Sequence, residues 1–222
     1  MQEITTGKEA DSMELQIALD RIPLARAIEI TADVASGANW IEVGTSLIKR
    51  YGMSAVVEIV AAAGDTPVLA DLKTADDAAH EFGLAYDAGA SSATVLGVAT
   101  GATIDTAVRV AAERSLEVVV DLMATSHAQR SALAAHLPAP VVLAAHVPKD
   151  TQTTGTTPQD LLGPWAQGRR IALAGGLRAD DIAALAHVEG LRVIVGSAIT
   201  RAPDPAKALA EVLVAISRSA VR

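Results

Sequence analysis

The chain has 222 residues, 50% of them apolar and 2% aromatic, with a formal net charge of −8 and no cysteine. This length allows one large core or two smaller domains. The negative charge and the scarcity of aromatic rings argue against a nucleic-acid binder, which usually shows a basic face and stacking platforms. Without cysteine there are no disulfides, thiolate nucleophiles or sulfur-ligated metals, so any metal must be held by oxygen or imidazole.

Charged residues also bear on membrane association. Glu58, Asp71 and Asp121 interrupt the apolar runs well before the roughly 18 uninterrupted residues that a membrane span needs. Residues 1–12 are polar and lack the apolar core of a signal peptide. We therefore expect a cytoplasmic protein that binds neither membranes nor nucleic acids.

Short apolar runs typical of buried strands recur about every 25 residues along the chain. They cover residues 15–19, 40–43, 68–70, 92–96, 117–120, 141–145, 171–174 and 193–195. Helical patterns lie between most of them, at 24–30, 54–63, 77–88, 104–114, 128–136 and 180–187, and a last one follows at 205–217. The segment 151–168 contains glycine and two prolines and is expected to be a mobile loop that leads into a short helix.

Eight strand–helix units in series predict an α/β fold, a single (β/α)₈ TIM barrel. An open doubly wound sheet would be expected to show a Gly-x-Gly-x-x-Gly turn after the first strand, where this chain has Asp20-Arg-Ile-Pro. No linker or charge block divides the sequence. We predict a polar N-terminal tail over residues 1–12 and one catalytic barrel domain over 13–222.

The active site of such a barrel lies at the carboxyl ends of its strands. Polar residues and glycines fall at seven of the eight predicted ends: Asp20, Glu42, Asp71 with Lys73, Asp121, His146, Gly175 with Gly176, and Gly196 with Ser197. In contrast, His80, His136 and His187 fall within helical patterns and are expected to be surface or packing residues. His127 begins a helix, and its role is undecided.

The third of these ends carries the densest charge. Alternation along a strand places Asp71 and Lys73 on one face, and Asp76 follows where the chain turns into a helix. Because unpaired buried charge is costly, such a cluster needs a partner, an ion or a ligand. The alternative is a strand-end salt bridge with a helix cap, since Thr74 and Asp77 have capping-box spacing. The segment alone fits both interpretations.

Two kinds of ligand are predicted at these ends. Glu42 and Asp71, on adjacent strands, offer the hard oxygen ligands that suit Mg²⁺ or Mn²⁺; the alternative is a pair of helix caps or solvated acids. Gly176 and Gly196, with Ser197, expose backbone N–H groups before helices, where phosphate binds; the alternative is ordinary turn glycines. Their joint occurrence after strands seven and eight favours phosphate.

A set of segments carries a family resemblance over nearly all of residues 13–210. They are Ala18-Leu-Asp20, Ile41-Glu42-Val-Gly44-Thr45, Ala70-Asp71-Leu-Lys73-Thr-Ala-Asp76, Thr94-Val-Leu-Gly97, Val119-Val-Asp121-Leu, His146 with Asp150, Ala174-Gly-Gly176 and Val195-Gly-Ser-Ala-Ile199. The set resembles the orotidine-5′-phosphate decarboxylase superfamily and, within it, the 3-hexulose-6-phosphate synthase branch most. The Asp-x-Lys-x-x-Asp element is its most specific part. Glu42 stands where the orotidylate decarboxylases have a lysine.

The resemblance implies a Mg²⁺-dependent aldehyde-lyase that joins formaldehyde and ribulose 5-phosphate through an enediolate, or cleaves the product. Mg²⁺ on Glu42 and Asp71 would bind the enediolate oxygens. Lys73 would donate a hydrogen bond to the developing negative charge, and His146 would be the general base.

The same resemblance implies roles for two further aspartates. Asp20 and Asp76 would hold Lys73 and the sugar hydroxyls in position. In this superfamily the last aspartate of the motif reaches into the neighbouring subunit's site, so Asp76 implies a homodimer.

Three other functions stay open. A 3-keto-L-gulonate-6-phosphate decarboxylase would have a glutamate at strand five and an arginine three residues after the histidine, where this chain has Asp121 and Lys149. Orotidine-5′-phosphate decarboxylation is disfavoured by Glu42. A non-catalytic phosphate-binding barrel would not need the acid cluster. The substrate's stereochemistry depends on loops 125–129 and 148–155, whose positions the pattern does not determine.

Overall fold

The structure of the chain, a computed structural model, describes residues 13–148, 150, 158–185, 188 and 190–219. The predicted tail over residues 1–12 lies outside the described residues. So do Lys149, His187 and residues 151–157 of the loop predicted after the sixth strand.

Eight parallel strands form a closed barrel in chain order, and β8 pairs with β1. The strands are β1 Glu14–Leu19, β2 Trp40–Val43, β3 Val68–Thr74, β4 Ser92–Leu96, β5 Glu117–Asp121, β6 Val142–His146, β7 Ile171–Ala174 and β8 Leu191–Val195. Each predicted apolar run falls on one of them, and the predicted TIM barrel is confirmed. The main difference is β3, which runs four residues beyond its apolar part to include Asp71 and Lys73.

Helices connect the strands on the outside of the barrel. They are α1 Leu24–Val34, α2 Thr45–Tyr51, α3 Met53–Ala63, α4 Ala78–Asp87, α5 Gly101–Glu113, α6 His127–His136, α7 Ala179–Ala184, α8 Ser197–Thr200 and α9 Pro205–Ser219. Short 3₁₀ turns cover Ala35–Gly37, Pro158–Leu161 and Pro164–Ala166. None of the helices in the described part of the chain is long and apolar enough to cross a membrane.

Local sequence explains where several helices begin and how they pack. In α1, Ala27, Ile30 and Val34 recur at helical spacing and are buried against the barrel. Helix α6 starts at a capping box, in which Ser126 and Gln129 satisfy each other's backbone N–H groups.

Alternate side chains of the strands belong to two cores, one between the sheet and the helices and one inside the barrel. In β1, Leu15, Ile17 and Leu19 belong to the large core between sheet and helices, whereas Gln16 and Ala18 face the inside of the barrel, where they line a cavity. A smaller apolar cluster fills the barrel: Leu69, Val119, Val142, Ala144 and Ala172, packed by Trp40 and Ile194. The carboxyl ends of the strands above this cluster are left free for polar groups.

Candidate active site

A cavity of about 1010 Å³ opens at the carboxyl ends of the strands. Eight of the nine predicted site residues line it: Asp20, Glu42, Asp71, Lys73, His146, Gly176, Gly196 and Ser197. The ninth, Asp76, is exposed and is not among the described residues that line the cavity.

An irregular end of β3 directs Lys73 into this cavity. The pairing of β3 with β4 shifts register between Ala70 and Thr74, and Lys73 has a positive φ of 53°. Its backbone N–H donates to Thr94 Oγ1 at 2.8 Å, a bond that helps to hold this strained conformation. The Lys73 Nζ then lies 3.0 Å from Asp71, so the predicted convergence of these two residues is confirmed.

Asp71 is held on both of its oxygens. Oδ2 accepts from Thr45 Oγ1 at 2.6 Å and Oδ1 accepts from Thr94 Oγ1 at 2.9 Å. With the Lys73 ammonium as a third partner, the carboxylate is buried in one fixed orientation. Such pre-organisation is what a ligand-binding acid needs.

Glu42 is a buried acid of a different kind. Its Oε2 accepts from Gln16 Nε2 at 2.6 Å; among the described residues Gln16 is the only group that hydrogen-bonds to it. Burial, with the negative charge of Asp71 as the second cause, raises the pKa of Glu42 from 4.5 to about 8. A carboxylate of this kind is stabilised in its ionised form by a nearby cation.

The fit of a metal ion can be judged from these two acids. The described residues contain no group of three or more histidine, aspartate or glutamate side chains able to hold a metal. Mg²⁺, however, is usually held by one or two carboxylates while water and substrate supply the other ligands. The pair Glu42 and Asp71, with the raised pKa of Glu42, fits such an ion.

Asp121 is the site residue that the sequence analysis placed at a strand end without giving it a role. Its Oδ2 lies 2.7 Å from Lys73 Nζ and its Oδ1 lies 3.4 Å from His146 Nδ1. Burial alone would raise the pKa of Asp121, but the His146 hydrogen bond and the Lys73 charge outweigh it and hold this pKa well below its usual range. Asp121 therefore stays ionised beside the Lys73 ammonium and the His146 imidazole.

The pKa of Lys73 is shifted in the opposite direction to that of Asp121. Burial alone would lower its pKa, yet the negative charges of Asp71 and Asp121 outweigh burial and raise it. The side chain is thus a fixed ammonium at the centre of the cavity. It can donate a hydrogen bond to an anion but does not act as a base.

The predicted contact of Asp20 with Lys73 is wrong. Within the described residues, Asp71 and Asp121 are the acids that contact Lys73, whereas Asp20 accepts from the Ser46 backbone N–H at 3.1 Å and from the Ser46 hydroxyl. Arg21, the next residue, has a positive φ of 55° and donates its backbone N–H to Ser46 Oγ at 2.9 Å, so the turn after β1 lies against the start of α2. Asp20 therefore faces the first turn of α2, which it caps.

The close packing of Asp20 and the end of β1 against α2 also explains why the residue after β2, Gly44, is a glycine. A Cβ on Gly44 would lie 2.6 Å from the carbonyl oxygen of Leu19. Only glycine allows β1 and the start of α2 to pack this closely.

The helix cap of the alternative interpretation is not formed after β3. Thr74 Oγ1 donates to Glu81 at 2.5 Å, and α4 begins after Asp77 with no side-chain cap. Asp76 Oδ1 accepts from the backbone N–H of Asp77 at 2.8 Å. Of the alternative interpretation, only the salt bridge between Asp71 and Lys73 is present.

The glycine turns after β7 and β8 form one wall of the cavity. A Cβ on Gly175 would lie 2.9 Å from the Val147 nitrogen, and Gly176 has a φ of +80° with open space around it. Helix α8 begins directly after Gly196, whereas α7 begins three residues after Gly176. The sequence analysis missed two cations on this wall, Arg178 and Arg201.

Fold and site together define a barrel with an acid, lysine and histidine cluster of the enzymatic type. The chain belongs to the orotidine 5′-phosphate decarboxylase / HUMPS family, whose model matches residues 13–212. The predicted resemblance is therefore confirmed.

Individual relatives give a finer comparison. The chain is 32% identical to a 3-hexulose-6-phosphate synthase of Staphylococcus haemolyticus, over 88% of this chain and 95% of that protein. A solved 3-hexulose-6-phosphate synthase from Salmonella typhimurium is 35% identical with a TM-score of 0.86, and the match covers 93% of this chain and all of that one. KGPDC from Streptococcus mutans, in complex with a sugar phosphate, is 25% identical with a TM-score of 0.82 over 94% of this chain and 99% of its own.

Proposed function

We propose that this protein is a Mg²⁺-dependent aldehyde-lyase of the 3-hexulose-6-phosphate synthase type. It joins formaldehyde to ribulose 5-phosphate through an enediolate, or cleaves the product. The observation that carries the proposal is the ionic cluster Asp71, Lys73 and Asp121 beside the buried Glu42. The greater identity to the synthases than to KGPDC supports it.

Glu42 and Asp71 would hold the ion, which when bound supplies Lewis-acid stabilisation to the oxygens of an electron-rich sugar intermediate. Burial is the main cause of the raised pKa of Glu42 and the negative charge of Asp71 is the second, so a cation bound by the two acids would favour the ionised form of Glu42.

Lys73 stabilises the negative charge that develops on the sugar when a proton is removed. Its ammonium is already oriented by Asp71 and Asp121, so no reorganisation is needed during the reaction. Such pre-organised donors contribute about 2.7–4 kcal/mol each to transition-state stabilisation.

His146 is the general base in this proposal. An imidazole can accept a proton near neutral pH, and this one lies on the cavity wall with Nδ1 towards Asp121. It would take the C1 proton of ribulose 5-phosphate, and the resulting enediolate would attack formaldehyde.

The phosphate would bind on the wall formed by Gly176, Gly196 and Ser197 through backbone N–H groups. Arg178 and Arg201 add positive charge to this wall in a chain whose net charge is negative. The complex of KGPDC with a sugar phosphate supports this substrate class.

The proposal includes a homodimer in which Asp76 acts in the neighbouring subunit's site. Asp76 is exposed and lies outside the cavity of its own chain, which leaves it free for this role. Mixing Asp76→Ala and His146→Ala chains tests the arrangement, because one hybrid site would contain both intact residues. Recovered activity is expected, and a mixture as inactive as its components would contradict a shared site.

The deciding assay incubates the purified protein with Mg²⁺, ribulose 5-phosphate and formaldehyde and follows the loss of formaldehyde. A parallel reaction with 3-keto-L-gulonate 6-phosphate follows the release of CO₂. Asp71→Ala and treatment with EDTA should each abolish formaldehyde loss. Full activity after EDTA treatment would overturn the metal, CO₂ release alone would favour the decarboxylase, and no reaction in either assay would favour a non-catalytic barrel.

A further inference from the structure

The amino end of the barrel is closed by a buried ionic network centred on Arg192, a residue of β8 that is 1% exposed. Its Nε lies 2.7 Å from Glu14, and its Nη1 and Nη2 bind the two oxygens of Glu117 at 2.8 and 2.9 Å. The guanidinium also lies 4.3 Å from the ring centroid of Trp40. Bidentate pairing and stacking of this kind fix a guanidinium in one place.

One side chain connects this network to the active-site end of the barrel. The Oε1 of Gln16 lies 3.4 Å from Arg192 Nη1, and its Nε2 donates to Glu42 Oε2 at 2.6 Å. Gln16 is 1% exposed, so water does not compete for its amide. A polar path therefore runs through the apolar interior of the barrel, from Arg192 to Glu42.

The chemistry of the two partners fixes the orientation of the Gln16 amide. Arginine can only donate hydrogen bonds, and an ionised carboxylate can only accept them. If the amide were flipped, its NH₂ group would face the Arg192 guanidinium and its oxygen would face the Glu42 carboxylate. The contact with Arg192 would then be repulsive whatever the protonation state of Glu42, and the contact with Glu42 would be repulsive once that carboxylate is ionised on a metal ion.

We propose that Gln16 is a positioning residue for Glu42, and that Arg192 orients it. This inference rests on the proposed function, in which Glu42 holds the metal ion. By occupying Oε2, Gln16 would leave Oε1 available to the ion, and it restricts the rotation of a side chain that has no other hydrogen-bond partner among the described residues. Partners that orient metal ligands are typically worth 10–100-fold in metal affinity.

The test measures Mn²⁺ affinity by electron paramagnetic resonance, with no substrate present. Gln16→Met keeps the volume but removes both hydrogen bonds, whereas Gln16→Asn keeps the amide but is too short to contact both partners. We expect each variant to bind Mn²⁺ about 10- to 100-fold more weakly than the wild type. Inorganic phosphate should bind unchanged, because its proposed wall is formed by other strands.

A matched control is available in β4. Ser92 is fully buried, and its hydroxyl has no hydrogen-bond partner among the described residues. Ser92→Ala should therefore keep wild-type Mn²⁺ affinity. Circular dichroism melting of each variant separates loss of the fold from loss of metal binding.

The role of Arg192 is tested by a double-mutant cycle. Arg192→Met should weaken Mn²⁺ binding in the wild-type background and have no further effect in Gln16→Met, because it acts through the same amide. Wild-type affinity in folded Gln16→Met and Gln16→Asn would overturn the positioning role while leaving the metal site intact. A wild-type chain that does not bind Mn²⁺ would overturn the metal site and this role with it.

Discussion

The carboxylate of Asp121 lies beside the imidazole of His146, with Oδ1 3.4 Å from Nδ1, at the ends of the neighbouring strands β5 and β6. The other oxygen of Asp121 lies 2.7 Å from Lys73 Nζ. One buried acid thus orients both the proposed base and the proposed ammonium donor. The neutral isostere Asp121→Asn would keep the shape but lose the charge that holds both groups, and we expect kcat to fall about 10²- to 10⁴-fold.

The surface of the same protein offers a control for this substitution. Asp105 and His136 form an exposed pair with an N–O distance of 3.0 Å. Asp105→Asn removes the same type of interaction far from the cavity, so its steady-state kinetics should match the wild type. If Asp121→Asn kept wild-type kcat, Asp121 would have no positioning role.

His146→Ala should stop the exchange of the C1 proton of ribulose 5-phosphate with solvent deuterium, because no other base is proposed at that carbon. Proton NMR in D₂O, with Mg²⁺ and without formaldehyde, measures this exchange directly. The control is His136→Ala, which removes an exposed imidazole and should exchange at the wild-type rate. Undiminished exchange by His146→Ala would assign the base to another residue.

The raised pKa of Glu42 predicts how the stability of the metal-free protein depends on pH. Below about pH 4.5 the residue is protonated in both states, whereas between about 4.5 and 8 the unfolded chain releases this proton and the folded chain keeps it. Glu42 therefore destabilises the fold progressively as pH rises through this window. The full effect is on the order of a few kcal/mol.

Urea unfolding in EDTA at pH 5 and pH 8 measures this effect. Glu42→Gln should lose less stability between the two pH values than the wild type, whereas Glu58→Gln on the exposed face of α3 should behave like the wild type. Added Mg²⁺ at pH 8 should stabilise the wild type but not Glu42→Gln. Equal pH dependence in Glu42→Gln and the wild type would show that burial of Glu42 does not govern it.

The barrel could be predicted because the apolar runs recur regularly and parallel strands bring their ends to one edge. For the same reason most of the predicted site residues, such as Glu42 and His146, line one cavity. Asp121 was also predicted to lie at that edge, but without a role. Its contact with Lys73 joins β5 to β3 past the intervening β4, and strand tilt and shear, which set such contacts, cannot be read from a periodic pattern.

Other features depend on single backbone angles. The left-handed conformation of Arg21 belongs to the turn that lies against α2, and that of Lys73 accompanies the register shift of β3. Arginine and lysine are not among the residue types enriched at positive φ, so the sequence does not mark these two positions. The polar path from Arg192 through Gln16 to Glu42 could not be predicted either, because a charged residue inside a strand would ordinarily be assigned to the surface.

Gly176 and Gly168 form a natural pair for testing the phosphate wall. Both have a positive φ, +80° and +69°, and a Cβ added to either would meet no atom within 4 Å. Alanine should therefore strain both backbones by a similar amount, about 1 kcal/mol. Only Gly176 lines the cavity, where the methyl group would occupy space proposed for the phosphate. We expect Gly176→Ala to raise the KM for ribulose 5-phosphate about tenfold or more, whereas Gly168→Ala should leave it unchanged. Equal KM values for the two variants in steady-state assays would place the phosphate elsewhere in the cavity.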